Sequence, residues 1–134
     1  MSSRVYEWEN HTAELALTIE APSEDAVFAE ALEAFGRLVE LEQDGEPARH
    51  EIELTGADRP RLLVDWLEEL VYLADTDSFV PDRVEGLELR DDGLQAVVAG
   101  RRAHLDPLVQ AATYHDLRFE RAGDRWRARI VLDV

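Results

Sequence analysis

The sequence predicts an α+β fold, a two-layer sandwich with two helices packed on one face of a mostly antiparallel sheet. Three observations support this prediction. Apolar residues recur at spacings of three and four within residues 27–39 and 62–73, as in amphipathic helices. The segments outside these helices are β-like, and residues 15–20 alternate apolar and polar side chains cleanly. Two glycine-containing turns, at 91–93 and 122–124, favour tight hairpins late in the chain.

Two strands open the predicted order of elements. The first covers residues 4–10 and the second covers residues 15–20, where three aliphatic side chains at alternate positions define the inward face. The polar residues 10–14 between them have the length of a hairpin connection.

Capping residues predict where both helices start. Ser23 can accept a hydrogen bond from the first turn, and the acidic residues after it suit the positive end of the helix dipole. Asp58 can cap the second helix in the same way, and Pro60 is tolerated in its first turn. We expect the first helix to end near Glu40 and the second to close at residues 75–77.

Five further strands complete the order β-β-α-β-α-β-β-β-β. One lies between the helices and four follow them, at residues 50–55, 84–90, 94–101, 114–121 and 125–133. No repeat, linker or low-complexity tract divides the chain, so we expect a single domain over residues 1–134.

The charge of the chain is large and unevenly distributed. All 14 basic residues are arginines, and 30 acidic residues give a net charge of −16 at pH 7. Residues 1–92 hold 25 of the acids and 7 arginines, whereas residues 93–134 hold 5 acids and 7 arginines. Because non-specific binding of nucleic acid needs clustered positive charge, we expect a basic protein or a cation as the partner instead. Alternatively, the acidic, lysine-free composition reflects a GC-rich genome or a salt-rich cytoplasm.

Several classes of function are excluded or disfavoured. The chain has no cysteine, so disulfides, thiolate metal sites and thiol catalysis are excluded. No serine has a Gly-x-Ser-x-Gly context, no glycine-rich phosphate loop is present, and no two histidines lie three or four residues apart. The start does not resemble a signal peptide, and no apolar run approaches the roughly 18 residues of a membrane span. We therefore expect a cytoplasmic protein, away from membranes and without a classical catalytic site.

Three polar segments remain as candidates for function, and each also has an ordinary structural interpretation. His11 and Glu14 lie in the first connection, which alternatively is a plain polar hairpin. Tyr114, within 110–115, is alternatively a core ring with its hydroxyl at the surface, and Asp133 a solvated carboxylate. If the strand that opens at Glu14 lies beside the strand that ends at Asp133, both carboxylates and the terminal carboxylate converge. Such a set of hard oxygens is what Ca²⁺ or Mg²⁺ binds.

Four segments form a recognisable set. They are NHTAE at 10–14, LLVDWLEELVYL at 62–73, AATYH at 111–115 and VLDV at 131–134. The first is similar to an Asp-His-Thr-Ala-Asp motif and the second to a central helix, both of the archease family. Each segment alone is weakly specific, but the four occur in the expected order over nearly the whole chain. The chain therefore resembles the archease family.

This resemblance implies a function and a site. Archeases are non-catalytic activators of RtcB-type RNA ligases in tRNA splicing and RNA repair, and they promote guanylylation and multiple turnover of the ligase. The implied partner is therefore that ligase, with RNA contacted only through it. The resemblance implies a divalent metal ion, with Ca²⁺ preferred and Mg²⁺ as an alternative, at Glu14, Asp133 and Val134. The implied functional surface comprises His11, Gln110, Thr113, Tyr114 and His115. A chaperone-like factor that keeps an RNA-modifying enzyme soluble is the alternative function.

The chain departs from the family pattern at two positions. Glu14 stands where an aspartate is usual, so its carboxylate reaches one methylene further, which matters most for the strict geometry of Mg²⁺. Gln110 stands where a lysine is frequent, so that positive charge is missing.

Overall fold

The computed structural model describes residues 5–11 and 13–134. It contains two helices and seven strands in the predicted order. The elements are β1 (Val5–His11), β2 (Glu14–Ala21), α1 (Glu24–Val39), β3 (Glu46–Thr55), α2 (Arg59–Asp77), β4 (Phe79–Arg90), β5 (Gly93–Arg102), β6 (Ala111–Ala122) and β7 (Arg125–Asp133).

The strands lie in two antiparallel sheets, where the sequence predicted one. The four-stranded sheet has the order β1-β2-β7-β6, and the three-stranded sheet has the order β3-β5-β4. Each helix contacts strands of both sheets, so the sheets share one apolar core. The α+β class is confirmed. The pairing partners were not predictable because alternation of side chains indicates the two faces of a strand but not its neighbours.

Both helices begin at the predicted caps. The side chain of Ser23 accepts a hydrogen bond from the backbone N–H of Ala26 at 3.2 Å, which satisfies a donor that the first turn leaves free. The Asp58 side chain accepts from the N–H of Arg61 at 3.4 Å. Helix α2 ends at Ser78, whose left-handed backbone (φ 52°) stops further helical turns.

Two strands begin earlier than predicted, and each added segment contains a proline. Strand β3 begins at Glu46 rather than at residue 50, and β4 begins at Phe79 rather than at residue 84. Pro47 and Pro81 lie in these added segments. Both belong to edge strands, where a missing N–H need not break a ladder hydrogen bond.

The core contains side chains from both helices and both sheets. Trp66 is fully buried, and its indole N–H donates to the carbonyl of Phe28 at 3.0 Å. The two rings meet edge to face, 5.9 Å apart. Neither α1 nor α2, the helices in the described part of the chain, has the apolar length that a bilayer crossing requires.

Candidate functional site

The pairing of β2 with β7 brings the two predicted acidic residues together. In this register Glu14 lies directly opposite Asp133. Side chains at directly opposed positions project from the same face, with Cβ atoms roughly 4.5–5.5 Å apart. The N–H of Val134 donates to the carbonyl of Ala13 at 3.1 Å, so Val134 lies beside the start of β2. We call this end of the sheet, formed by Glu14, Asp133 and Val134, the acidic tip.

The connection between β1 and β2 is tight. His11 pairs with Glu14 at the ends of the two strands. Ala13 has a left-handed backbone (φ 62°), which costs a non-glycine residue roughly 1–2 kcal/mol. Thr12 and the side chain of His11 lie outside the part of the chain that the structure describes. The predicted contribution of His11 to the site therefore stays a prediction.

The other neighbour of Asp133 is the start of β6. Ala111 lies opposite Asp133, and the backbone N–H of Gln110 donates to the Asp133 carbonyl at 2.8 Å. Gln110 is exposed. The second predicted segment therefore reaches the acidic tip through its backbone, while the neutral side chain of Gln110 faces solvent.

Strand β6 contains an irregularity beside the acidic tip that the sequence did not predict. Thr113 pairs with Val131 and Arg118 pairs with Arg129, so Ile130 alone lies opposite residues 114–117. We call residues 114–117 the bulge. Such insertions bend a strand and redirect its side chains. One signal was available in the sequence: the apolar positions of this strand change phase between residues 112 and 117.

The bulge presents predicted surface residues. Tyr114 is 58% exposed. The backbone N–H of His115 donates to the hydroxyl of Thr113 at 3.3 Å. Asp116 has a left-handed backbone (φ 55°), a conformation that aspartate tolerates better than most residues do. Tyr114 and His115 are thus placed by the bulge, directly after Thr113, which is the last residue in regular pairing before it.

A small cavity connects the acidic tip to the bulge. It has a volume of about 120 Å³ and is lined by Glu14, His115, Asp116, Arg129 and Val131. Residues from β2, β6 and β7 therefore meet in one place. Neither Asp116 nor Arg129 was predicted to belong to the site.

Larger hollows lie on the three-stranded sheet. One of about 540 Å³ is lined by Arg49, Arg83 and Arg101 among others, and one of about 700 Å³ extends from Arg49 past Val97. Their lining arginines bind neighbouring acids of the same surface. We place the candidate site at the smaller cavity because opposed carboxylates and the predicted motif residues converge there.

Helix α2 supports β6 at the base of the bulge. Glu68 on α2 lies close to the backbone of Ala112 at the start of β6. Burial raises the pKa of Glu68 above its ordinary value, the Ala112 hydrogen bond lowers it, and the nearby charge of Asp65 raises it further. Helix α2 therefore packs against the strand that contains the second candidate segment.

The donor set at the acidic tip fits a hard divalent cation in charge and type. Within residues 5–11 and 13–134, no group of three or more histidine, cysteine, aspartate and glutamate side chains could hold a metal ion. The tip instead offers the two opposed carboxylates of Glu14 and Asp133. Like charges directly opposite are destabilising, and a cation relieves that repulsion.

Comparisons with known proteins give a consistent result. Residues 6–134 match the family described as "Archease protein family (MTH1598/TM1083)". The archease of Methanosarcina acetivorans is 32% identical over 140 residues, covering 96% of this chain and 95% of its own. The solution structure of Methanobacterium thermoautotrophicum protein 1598 is 26% identical, with a TM-score of 0.71 over 96% of this chain and 98% of that chain. The crystal structure of an archease from Thermotoga maritima, described as a possible chaperone, is 22% identical, with a TM-score of 0.70 over 94% of each chain.

Proposed function

This chain belongs to the archease family, and we propose that it activates an RtcB-type RNA ligase without itself catalysing a reaction. The register that sets Glu14 opposite Asp133 is the observation that carries the proposal. It brings together carboxylates from the first and last motifs of the family resemblance. In this proposal the activator acts in the cytoplasm, in tRNA splicing or RNA repair, and promotes guanylylation and multiple turnover of the ligase.

The carboxylates of Glu14 and Asp133 are proposed to hold a divalent cation, together with an oxygen of Val134. When bound, the cation supplies positive charge that attracts phosphate oxygens of the nucleotide in the ligase. Ca²⁺ suits the site better than Mg²⁺ because Ca²⁺ accepts variable geometry, and Glu14 reaches further than an aspartate would. The residues of this chain hold the ion and bring it to the partner.

The surface around the acidic tip supports a protein partner. The bulge exposes Tyr114 next to the cavity, and exposed tyrosines are frequent anchors in protein interfaces. The net charge of −16 favours a basic partner surface, such as the nucleic-acid channel of a ligase. RNA is then contacted by the ligase rather than by this chain.

The proposal is tested by multiple-turnover ligation. The ligase, its nucleotide and a cleaved RNA are mixed with wild-type protein, with Asp133→Asn or with Asp124→Asn. Asp124 lies in the exposed turn of the β6–β7 hairpin and serves as the matched control. We expect Asp133→Asn to lower activation by about tenfold or more and Asp124→Asn to leave it unchanged. No activation by the wild type would contradict the proposal.

A chaperone-like role is the second candidate. The Thermotoga maritima archease is described as a possible chaperone, and an acidic surface can shield a basic client. A chaperone effect should require stoichiometric protein and should survive Asp133→Asn. Activation should occur at substoichiometric amounts and should be lost in that variant. The same ligation series, titrated with each protein, therefore separates the two roles.

A further inference from the structure

Two arginines face each other beside the bulge. Arg118 on β6 lies directly opposite Arg129 on β7, at the point where regular pairing resumes after the bulge. Like charges in such a position repel and destabilise the pairing. A negative charge close to both side chains relieves this repulsion.

Asp116 supplies this charge. Its Oδ2 lies 3.7 Å from Nε of Arg129, and its Oδ1 lies 3.9 Å from a terminal nitrogen of Arg118. One carboxylate thus reaches both guanidinium groups. The Arg129 side chain is 22% exposed and that of Arg118 is 60% exposed, so water screens the contact with Arg118 more strongly. We therefore regard Arg129 as the main partner of Asp116.

The position of Asp116 couples this contact to the acidic tip. Asp116 and Arg129 line the same cavity as Glu14 and His115. The left-handed backbone at Asp116 turns the bulge, and the hydrogen bond from His115 to Thr113 fixes its other end. The ion pair therefore joins the bulge to β7 within the cavity that Glu14 and His115 also line.

We infer that Asp116 is a positioning residue: its contact with Arg129, assisted by Arg118, holds the bulge against β7 so that Tyr114 and His115 lie beside the acidic tip. Asp116 acts through these neighbours and is not itself a metal ligand. The inference rests on the proposed function, because it identifies what keeps the partner-facing side of that site in place.

The experiment separates the charge of Asp116 from its backbone conformation. Asp116→Asn removes the charge but keeps a residue that tolerates a left-handed backbone, and Asp116→Gly keeps that conformation without a side chain. Arg129→Gln removes the main partner, whereas Arg129→Lys preserves its charge. Arg125→Gln, whose arginine contacts Glu20 further along the same strand, is the control. Amide hydrogen exchange of residues 114–117, the Ca²⁺-induced rise in Tm and ligase activation are measured for each variant.

We expect amide exchange of the bulge to rise about threefold in Asp116→Asn, Asp116→Gly and Arg129→Gln, as for the loss of a partly exposed ion pair. We expect activation to fall at least about fivefold in these three variants. The Ca²⁺-induced rise in Tm should persist, since Glu14 and Asp133 are intact, and Arg129→Lys should restore both exchange and activation. Arg125→Gln should match the wild type in all three measurements.

Two results would overturn the inference. The first is unchanged exchange of residues 114–117 in Asp116→Asn and Arg129→Gln. The second is wild-type activation despite faster exchange. Failure of the proposed function is distinguishable, because the wild type would then show no activation. In that case the exchange data alone still decide whether the Asp116–Arg129 contact holds the bulge.

Discussion

The acidic tip and the surroundings of Arg101 differ in how their carboxylates are neutralised. Arg101 is 9% exposed and binds the carboxylates of Asp82 at 2.7 Å and Glu40 at 3.1 Å. At the acidic tip Glu14 lies opposite Asp133, and no residue in the described ranges forms an ion pair with either one. The fold therefore neutralises one set of acids with its own arginine. It leaves Glu14 and Asp133 opposite each other, and in our proposal a cation or partner from outside neutralises them.

Substitution of Arg101 should cause the largest loss of stability. Arg101→Ala removes the cation between Asp82 and Glu40 and also a hydrogen bond to the carbonyl of Glu42 at 2.7 Å. We expect the free energy of unfolding to fall by about 3 kcal/mol, because a buried guanidinium and its three contacts with Asp82, Glu40 and Glu42 are lost. Urea unfolding at pH 7 measures this change. Arg83→Ala, at an exposed ion pair with Glu85, should cost about 0.5 kcal/mol or less. Equal losses in the two variants would contradict the comparison.

The acidic tip should respond to added Ca²⁺ instead. At a free Ca²⁺ concentration about 100 times the dissociation constant, binding adds about 2.7 kcal/mol to the free energy of unfolding. Glu14→Gln and Asp133→Asn should remove most of this gain, and Asp124→Asn should keep it. Thermal unfolding with Ca²⁺, and with Na⁺ at equal ionic strength, provides the measurement. An equal gain in all four proteins would mean that Ca²⁺ only screens surface charge.

Asp77 is intermediate between these two regions. Neighbouring side chains neutralise its charge, but its own side chain is partly exposed to solvent. Arg102 donates to Asp77 at 2.9 Å and His50 contacts it at 2.8 Å, and these hydrogen bonds hold the pKa of Asp77 below its ordinary value. A lowered pKa in the folded state stabilises the fold above the pKa of the unfolded state, roughly 3.9. This stability is lost as the pH falls through the lowered value.

Asp77→Asn should therefore be less stable than the wild type at pH 7, and the difference should shrink as the pH falls below about 4. Urea unfolding of both proteins between pH 7 and pH 3 measures the difference. Asp124→Asn serves as the control and should show no such trend. A difference that grows with acidity would show that Asp77 is not held in its charged form.

Local features of this fold were predictable from the sequence. Ser23 and Asp58 cap the helices as predicted, because a cap requires only neighbouring residues. The turns at Gly93 and Gly123 separate paired strands, because turn chemistry is also local. The α+β class followed from these elements and from the period of the apolar residues.

The sequence predicted the geometry of the site only on the condition that the strand of Glu14 pairs with the strand of Asp133. Glu14 and Asp133 lie at opposite ends of the chain, and only the pairing of β2 with β7 brings them together. The sequence identified the two acids but did not predict that pairing, and it did not predict the division into two sheets either. The bulge depends on the register between β6 and β7. The participation of Asp116 and Arg129 therefore became visible only in the structure.

Removal of one charge at the acidic tip should stabilise the protein slightly, whereas the loss of Arg101 or Asp77 destabilises it. Without metal, Glu14→Gln removes one of two like charges that face each other, so we expect the free energy of unfolding at pH 7 to rise by about 0.5 kcal/mol. Glu51→Gln is the matched control, because Glu51 is exposed on β3 opposite Val97 and has no facing acid. It should change stability by less.

Asp133→Asn should have the same sign as Glu14→Gln, and the double variant should gain less than the two single gains combined, because either substitution already ends the repulsion. Urea unfolding in the presence of a chelator, at pH 7, measures the wild type and the four variants. If Glu14→Gln lowered stability instead, Glu14 would already have a favourable partner within the protein. The acidic tip would then resemble the surroundings of Arg101, and no repulsion between Glu14 and Asp133 would remain for an external cation to relieve.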